Sequence, residues 1–279
     1  MEKLTVLGTG YAMALRCYNT CFALHQGEEV LLVDAGGGNG ILVQLQKAGI
    51  DPASIHNLIV THAHTDHILG VVWVIRKIAT LMLDGKYEGE FHIWCHKGLP
   101  ETIETLVRLT VQGKFAKLIG DRILLHGVTD GEQAQILGHT VTDGEQAQIL
   151  GHTVTFFDIH STKMEQYGFT AEKDGKKLTC LGDEPYNPLC EGYVKGSDWL
   201  LCEAFCLYGD REKFKPYEKH HSTVKEACEL AAQLAVPHLV LWHTEDKTYE
   251  DRQRLYTAEG KEYYQGDLHV PYDLDVIAL

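Results

Sequence analysis

The chain has 279 residues, 44% of them hydrophobic, which allows one large domain or two small ones with a sizeable core. Its formal charge is −14, from 39 acidic against 25 basic residues, so the average surface repels a polyanion and disfavours general nucleic-acid binding. The eight cysteines show no disulfide framework; even the Cys17/Cys21 and Cys202/Cys206 spacings are expected to hold free thiols.

The opening run Met1 to Gly8 starts a strand pattern within a few residues and does not read as a secretory signal, so a soluble cytoplasmic protein is expected. Strands are expected at Leu4–Gly8, Asn19–His25 and Val30–Ala35, after which Gly36-Gly37-Gly38 breaks the chain before a helix from Gly40 to Ala48. Asn57–Thr61 is a nearly continuous apolar strand, suited to a sheet covered on both faces. The apolar stretch Ile68 to Leu83 is interrupted by Arg76 and Lys77 and reads as a buried helix, not a membrane span. A strand at Phe91–Cys95 precedes a helix from Pro100, whose Pro and Glu101 suit a first turn. Later strands fall at Val154–Ile159, Tyr167–Ala171, Lys177–Leu181, Asp198–Cys202 and His238–Trp242. A helix through Val224–Leu234 opens at Ser222 or Thr223. No linker composition separates domains, so residues 1–279 read as a single α/β domain with two halves.

Val128–Thr140 is repeated without change as Val141–Thr153. Repeat architectures drift and use longer units, so this tandem copy reads as a recent duplication at 128–153. Each copy carries an Asp-Gly hairpin-turn signal. The second copy is expected to keep the strand position before Val154 and the first to bulge as an extra hairpin or loop. His139 and His152 are then surface residues.

The most informative segment is His62-Ala63-His64-Thr65-Asp66-His67, directly after the strand Asn57–Thr61. Imidazole and carboxylate are the usual N and O ligands of zinc and related ions, and a strand ending in this cluster sets them at the mouth of a sheet. Three more candidates stand where strands meet loops: His160, Asp183 and His243. Alone, each would pass for an ordinary surface residue. Together with the first cluster they suggest a shared metal site. Other histidines, among them His25, His56, His92, His96, His126 and His238, read as structural or solvated.

These motifs, together with Leu7-Gly8-Thr9-Gly10 and Val33-Asp34-Ala35-Gly36, resemble the metallo-β-lactamase superfamily. Glu203-Ala204-Phe205 and His221-Ser222-Thr223 resemble elements of its ribonuclease Z-like branch, although Cys202 and Phe205 depart from that branch's His-Glu-Ala-Thr. The resemblance implies a four-layer αβ/βα sandwich holding two divalent ions, zinc first, with manganese or iron as alternatives. His62, His64 and His160 would bind one ion, Asp66, His67 and His243 the other, and Asp183 would bridge them. Asp66, His221 and Glu203 are the implied catalytic residues. In that scheme His221 protonates the leaving alkoxide and Glu203 hydrogen-bonds its other ring nitrogen. The implied activity is a dinuclear metal-dependent phosphodiesterase acting on RNA or a small diester, without membrane association. Homodimers are common in the family, but no exposed apolar stripe supports one here.

Two features bear on substrate. Only Ser161 to Gly182 separate His160 from Asp183, where common bacterial ribonucleases Z carry a long tRNA-gripping arm. Lys213, Lys215, Lys219 and Lys225 surround His221 in sequence, but such runs are usually solvated faces. The other readings are a hydrolase of the same fold acting on a lactone, thioester or β-lactam, and a metal-stabilised binding protein without catalysis.

Overall fold

Apolar runs that are buried at nearly every position form the central strands of two sheets, one in each of two compact units of a computed structural model. The structure describes residues 1–131, 133–134, 148–149 and 151–279. The first unit comprises Met1–Gly8, Tyr18–Thr129 and Asp273–Leu279, the second Thr9–Cys17 and Asp130–Tyr272.

The first unit contains β1 (Lys3–Gly8), β2 (Cys21–Gln26), β3 (Glu29–Val33), β4 (Ile55–Val60), β5 (Phe91–His96) and β6 (Ile123–Val128) in that sheet order, with Val276–Ala278 on the outer side of β1. From β3 to β6 the strands are parallel, which is why β4 reads as continuous apolar sequence rather than an alternating one. Its helices are α1 (Gly40–Lys47), α2 (Thr65–Leu83), α3 (Leu99–Thr110) and the single turn α4 (Gly113–Ala116). Val71, Val74, Ile75 and Ile78 of α2 recur at helical spacing and pack with Leu32, Leu58 and Ile93 in one core. At Gly70 an added Cβ would lie 1.8 Å from the Ala35 carbonyl oxygen. Only glycine lets α2 pass this close to the loop after β3, where Gly70 N–H bonds the Gly36 carbonyl at 2.8 Å.

In the second unit the sheet runs β14 (Asp267–His269), β13 (His238–Trp242), β12 (Trp199–Glu203), β11 (Lys176–Cys180), β10 (Tyr167–Lys173), β9 (His152–Asp158), β7 (Gln133–Ala134), with β8 (Gln148–Ile149) also on β9. Its helices are α5 (Glu191–Val194), α6 (Arg211–Phe214), α7 (Val224–Gln233) and α8 (Arg252–Tyr263). Ala227 and Ala231 of α7 and Tyr256 of α8 pack with Leu200, Leu239 and Leu241. Glu226 at the third position of α7 accepts from both the N–H and the hydroxyl of Thr223, which fixes the helix start at Thr223.

The expected strands and helices are present with ends shifted by a few residues. Elements not expected from the sequence include the single turns α4, α5 and α6, and also β6, β14, Val276–Ala278 and α8. The last escaped notice because its buried positions, Arg252, Tyr256 and Gly260, do not read as an apolar stripe. None of the eight cysteines forms a disulfide. No helix among the described residues is long and apolar enough to cross a membrane.

The duplicated segment departs from expectation. Both copies contribute to the strand beside β9: Gln133 and Ala134 pair with Thr155 and Val154, and Gln148 and Ile149 pair with Thr153 and His152. The register therefore continues from Ala134 to Gln148 across thirteen intervening residues, one repeat length, and spells the Gln-Ala-Gln-Ile of a single copy. The second copy does not hold that position alone. The expected extra hairpin falls on residues 132, 135–147 and 150, outside the described residues, as does His139. His152 is buried in β9, not at the surface.

Deleting residues 135–147 joins Ala134 to Gln148 in the register they already share. The shortened chain should melt cooperatively within a few degrees of the parent in a circular-dichroism scan. Loss of the cooperative transition would refute this reading of the register.

Candidate metal centre

In the first unit the metal-type donors are organised by one buried carboxylate, Asp34. It sits directly after β3 with φ of 53°, a left-handed conformation that costs a non-glycine residue energy and recurs at functional sites. Asp34 accepts from Thr61 N–H at 2.8 Å, from the Thr61 hydroxyl at 2.7 Å and from His67 Nδ1 at 2.8 Å. Because the Thr61 hydroxyl donates to Asp34, its oxygen accepts from His62 Nδ1 at 2.9 Å. Both imidazoles therefore carry their proton on Nδ1, leaving Nε2 as the donor atom, the arrangement by which a carboxylate behind a histidine orients a ligand. His62 Nε2 lies 2.8 Å from His64 Nδ1, and the His62 and His67 rings are 4.1 Å apart.

His64 caps α2 from an extended conformation, and Asp66 falls in its first turn, where the helix dipole favours an anion. Asp66 Oδ2 is 3.5 Å from His67 Nε2. Desolvation of the buried His67 ring favours its neutral form, but the charges of Asp34 and Asp66 outweigh it and hold the imidazole well above its usual range. This buried group of carboxylates and imidazoles is a donor set that a divalent ion would fit.

In the second unit, Asp183 Oδ2 lies 3.5 Å from His243 Nε2, and both residues are buried. His243 directly follows β13 with φ of 54°. The loop that follows it is held by the Thr9 segment: Thr244 N–H bonds the Thr9 carbonyl at 3.0 Å, and Tyr11 N–H bonds the Thr244 carbonyl at 3.2 Å. Arg252, fully buried, reaches the Thr244 hydroxyl at 2.6 Å, the Thr9 hydroxyl at 3.0 Å and the Pro271 carbonyl at 2.7 Å. Asp246 accepts from Leu15 and Arg16 N–H, closing the same loop. Asp34 and Arg252 were not among the expected site residues. The first was visible only within Val33-Asp34-Ala35-Gly36, and the second gave no sequence signal.

His221 Nδ1 bonds the Asp183 carbonyl oxygen at 2.9 Å, and its ring stacks on Phe205 with centroids 5.1 Å apart. A carbonyl can only accept, so Nδ1 carries the proton and Nε2 is the unprotonated nitrogen of the neutral ring. Glu203 Oε2 faces that same Nδ1, the nitrogen expected to donate to it, but stands 3.7 Å away, beyond hydrogen-bond reach, and the Asp183 carbonyl takes the bond. Glu203 instead accepts from Ser222 N–H at 2.6 Å, so it fixes the backbone beside His221. Burial pushes its carboxyl up to about 8, against the lowering effect of the Ser222 donors.

His160 also differs from expectation. It is half-exposed with φ of 58°, and its N–H bonds Asp158 at 2.7 Å while its ring lies 3.7 Å from the same carboxylate. No donor cluster among the described residues includes it.

The family model described as a beta-lactamase superfamily domain matches residues 30–244. The chain belongs to the metallo-β-lactamase superfamily. Among its relatives is the ribonuclease Z of Pyrococcus furiosus, 25% identical over 99% of this chain and 95% of the relative. Another is that of Thermococcus sibiricus, 28% identical over 100% and 97%. Among solved structures, the metallo-β-lactamase fold protein YhfI from Bacillus subtilis superposes with a TM-score of 0.75 at 19% identity, covering 99% of both chains. Human tRNase Z, short form, gives 0.72 at 21%, covering 99% of this chain and 98% of that one. The metallo-β-lactamase fold expected from the motifs is therefore the fold found, and its likeness is to the ribonuclease Z-like branch.

Asp34→Asn keeps the shape but turns an acceptor towards His67 Nδ1 into a donor, which drives the proton to Nε2. Metal affinity, measured by chelator competition, should fall about 10–100-fold with the fold retained; unchanged affinity would contradict the role given to Asp34.

A second prediction concerns pH in the metal-stripped protein. The Glu203 carboxyl titrates near 4.5 when unshifted and near 8 in the folded chain, so the folded state holds the extra proton between those values. Its stabilising effect is complete below the lower value and is lost as pH rises through the upper one. Glu203→Gln should gain stability relative to the parent across that window and then level off. Parallel stability curves would count against it.

Proposed function

We propose that the chain is a metal-dependent phosphodiesterase of the ribonuclease Z-like kind. It is a hydrolase, and by the family resemblance its metal ligands would be His62, His64, Asp66, His67, Asp183 and His243. By the same resemblance, two divalent ions would occupy this set, zinc first and manganese or iron on the same N/O donors, with Asp183 as the bridging carboxylate. His160 would have to leave Asp158 to join them. When bound, the ions supply Lewis-acid charge for a phosphoryl oxygen and acidify water.

The observation that carries the phosphodiester reading is the setting of His221. Its Nδ1–H is tied to the Asp183 carbonyl, so a doubly protonated His221 would give its Nε2 proton to a departing alkoxide and return to the neutral Nδ1–H ring. Alkoxides are poor leaving groups, so a positioned acid helps a diester more than an activated thioester. Glu203 acts through the backbone: by holding Ser222 N–H it fixes the start of the segment leading into α7 and thereby the His221 side chain. Phe205 covers one ring face and limits its rotation. A pocket of about 340 Å³ beside His221, lined by Pro185, Tyr186, Tyr217, Ser222 and Leu230, offers room for an apolar or aromatic leaving group.

RNA and small diesters both remain within this class. The segment between His160 and Asp183 is the β10–β11 hairpin, tightly turned at Asp174-Gly175, and holds no long arm. The lysines near His221 are largely engaged: Lys219 lies over Phe205, Lys225 over Tyr208, and Lys215 pairs with Glu212 and Glu218. A small diester therefore fits this surface better than a tRNA.

The test is a paired assay on one metal-analysed preparation, with bis(p-nitrophenyl) phosphate and a precursor tRNA bearing a 3′ trailer. Turnover of the small diester should exceed that of the tRNA and fall about 10²–10⁴-fold in His221→Ala. Turnover that survives His221→Ala, or activity confined to lactones, thioesters or β-lactams, would overturn the reading. Metal-loaded protein inert to all of these would instead mark a binding protein.

A further inference from the structure

A second donor cluster stands at the opposite end of β13 from His243. In the parallel register Trp199 pairs with His238, His238 with Asp267, and Val240 with His269. Paired residues on adjacent strands point to one face, and positions two apart share it, so Trp199, His238, Asp267 and His269 lie together. The helices pack on the other face, where Leu239 and Leu241 join α7 and α8 in the core. The five-residue length of β13 puts this cluster roughly 16 Å along the strand from His243.

The geometry is close to that of a coordination sphere. Asp267 Oδ2 lies 3.2 Å from His238 Nδ1 and 2.9 Å from His269 Nε2, and the three donor atoms all fall within 4.8 Å of one another. In a tetrahedral site with metal–ligand bonds of about 2.0–2.2 Å, neighbouring donor atoms stand about 3.3 Å apart. An ion held by these three atoms would replace the two ring–carboxylate hydrogen bonds. The indole of Trp199 stacks on His238 at 4.3 Å and 11° and flanks His269 at 5.3 Å, which limits rotation of both rings before any ion binds. The cluster is partly open, with Asp267 exposed, so water can complete the sphere.

We propose that His238, Asp267 and His269 form a transition-metal site of the zinc class, separate from the hydrolytic centre, that ties the edge strand β14 to β13. β14 has three residues, and an edge strand this short gains most from a cross-link to its neighbour. Two imidazoles and one carboxylate suit zinc and copper(II), and not calcium or magnesium. The inference does not depend on the activity proposed above.

The experiment compares full-length parent with His269→Gln and Asp267→Asn after equilibrium dialysis against micromolar zinc chloride, with metal content by atomic emission. Each variant should hold one zinc fewer per chain than the parent while its diesterase turnover is unchanged. Equal zinc content in parent and variants would overturn the proposal. Because the readout is a difference between chains sharing the same hydrolytic centre, failure of the phosphodiesterase reading would leave it intact. Copper(II) added to the zinc-loaded parent gives an independent readout. Its electron paramagnetic resonance spectrum should carry hyperfine splitting from two nitrogens that His269→Gln reduces to one, and an identical spectrum in parent and variant would likewise refute the site.

Discussion

The arrangement of the first unit's metal donors depends on one buried carboxylate. Asp34 receives three hydrogen bonds, two from Thr61 and one from His67, and through the Thr61 hydroxyl it also sets the tautomer of His62. A buried anion is tolerated only when its charge is answered, and here neutral donors and the adjacent imidazole provide part of the answer. The left-handed backbone at Asp34 and the close approach of Gly70 to Ala35 place the carboxylate under the start of α2. The geometry of His62 and His67 is thus set by a residue that is not itself a ligand.

The second unit solves the same problem with a cation. Arg252 lies buried against the rings of Tyr249 and Tyr272 and spreads its donors over Thr9, Thr244 and Pro271. Guanidinium suits this task because its planar fork satisfies several acceptors at once without deprotonating. The Leu7-Gly8-Thr9-Gly10 motif acquires a physical meaning here: Thr9 accepts from Thr244 through its backbone and from Arg252 through its hydroxyl. His243, held left-handed at the end of β13, depends on that clamp.

The histidine motif at 62–67 was legible in the sequence because its donors are contiguous and the strand before it is unmistakably apolar. So were the helices whose apolar residues recur with helical period. What stayed hidden are contacts between distant segments. Nothing near Arg252 marks it as buried, and the pairing of Glu203 with Ser222 N–H rather than the His221 ring follows from how the end of β12 meets the start of α7. His152 read as surface because its repeat looked like a turn, whereas its strand register with Ile149 buries it. The shared use of both repeat copies beside β9 was equally out of reach, since identical sequences offer no local preference between them.

The chemistry of the surface bears on substrate more than the catalytic groups do. A chain with net charge −14 that grips RNA needs a concentrated basic patch to overcome the mean field. The lysines nearest His221 instead lie over Phe205, Tyr208 and Tyr263 or pair with Glu212 and Glu218. A lysine stacked on an aromatic ring keeps its charge but holds its position, which suits one or two phosphates better than a long backbone. Tyr186 and Tyr217 line the pocket beside His221 and can stack on one ring of a leaving group. On the phosphodiesterase reading proposed above, His221 would serve any diester, and these surroundings would suit a compact substrate with an aromatic or nucleoside-like leaving group better than an extended polyanion.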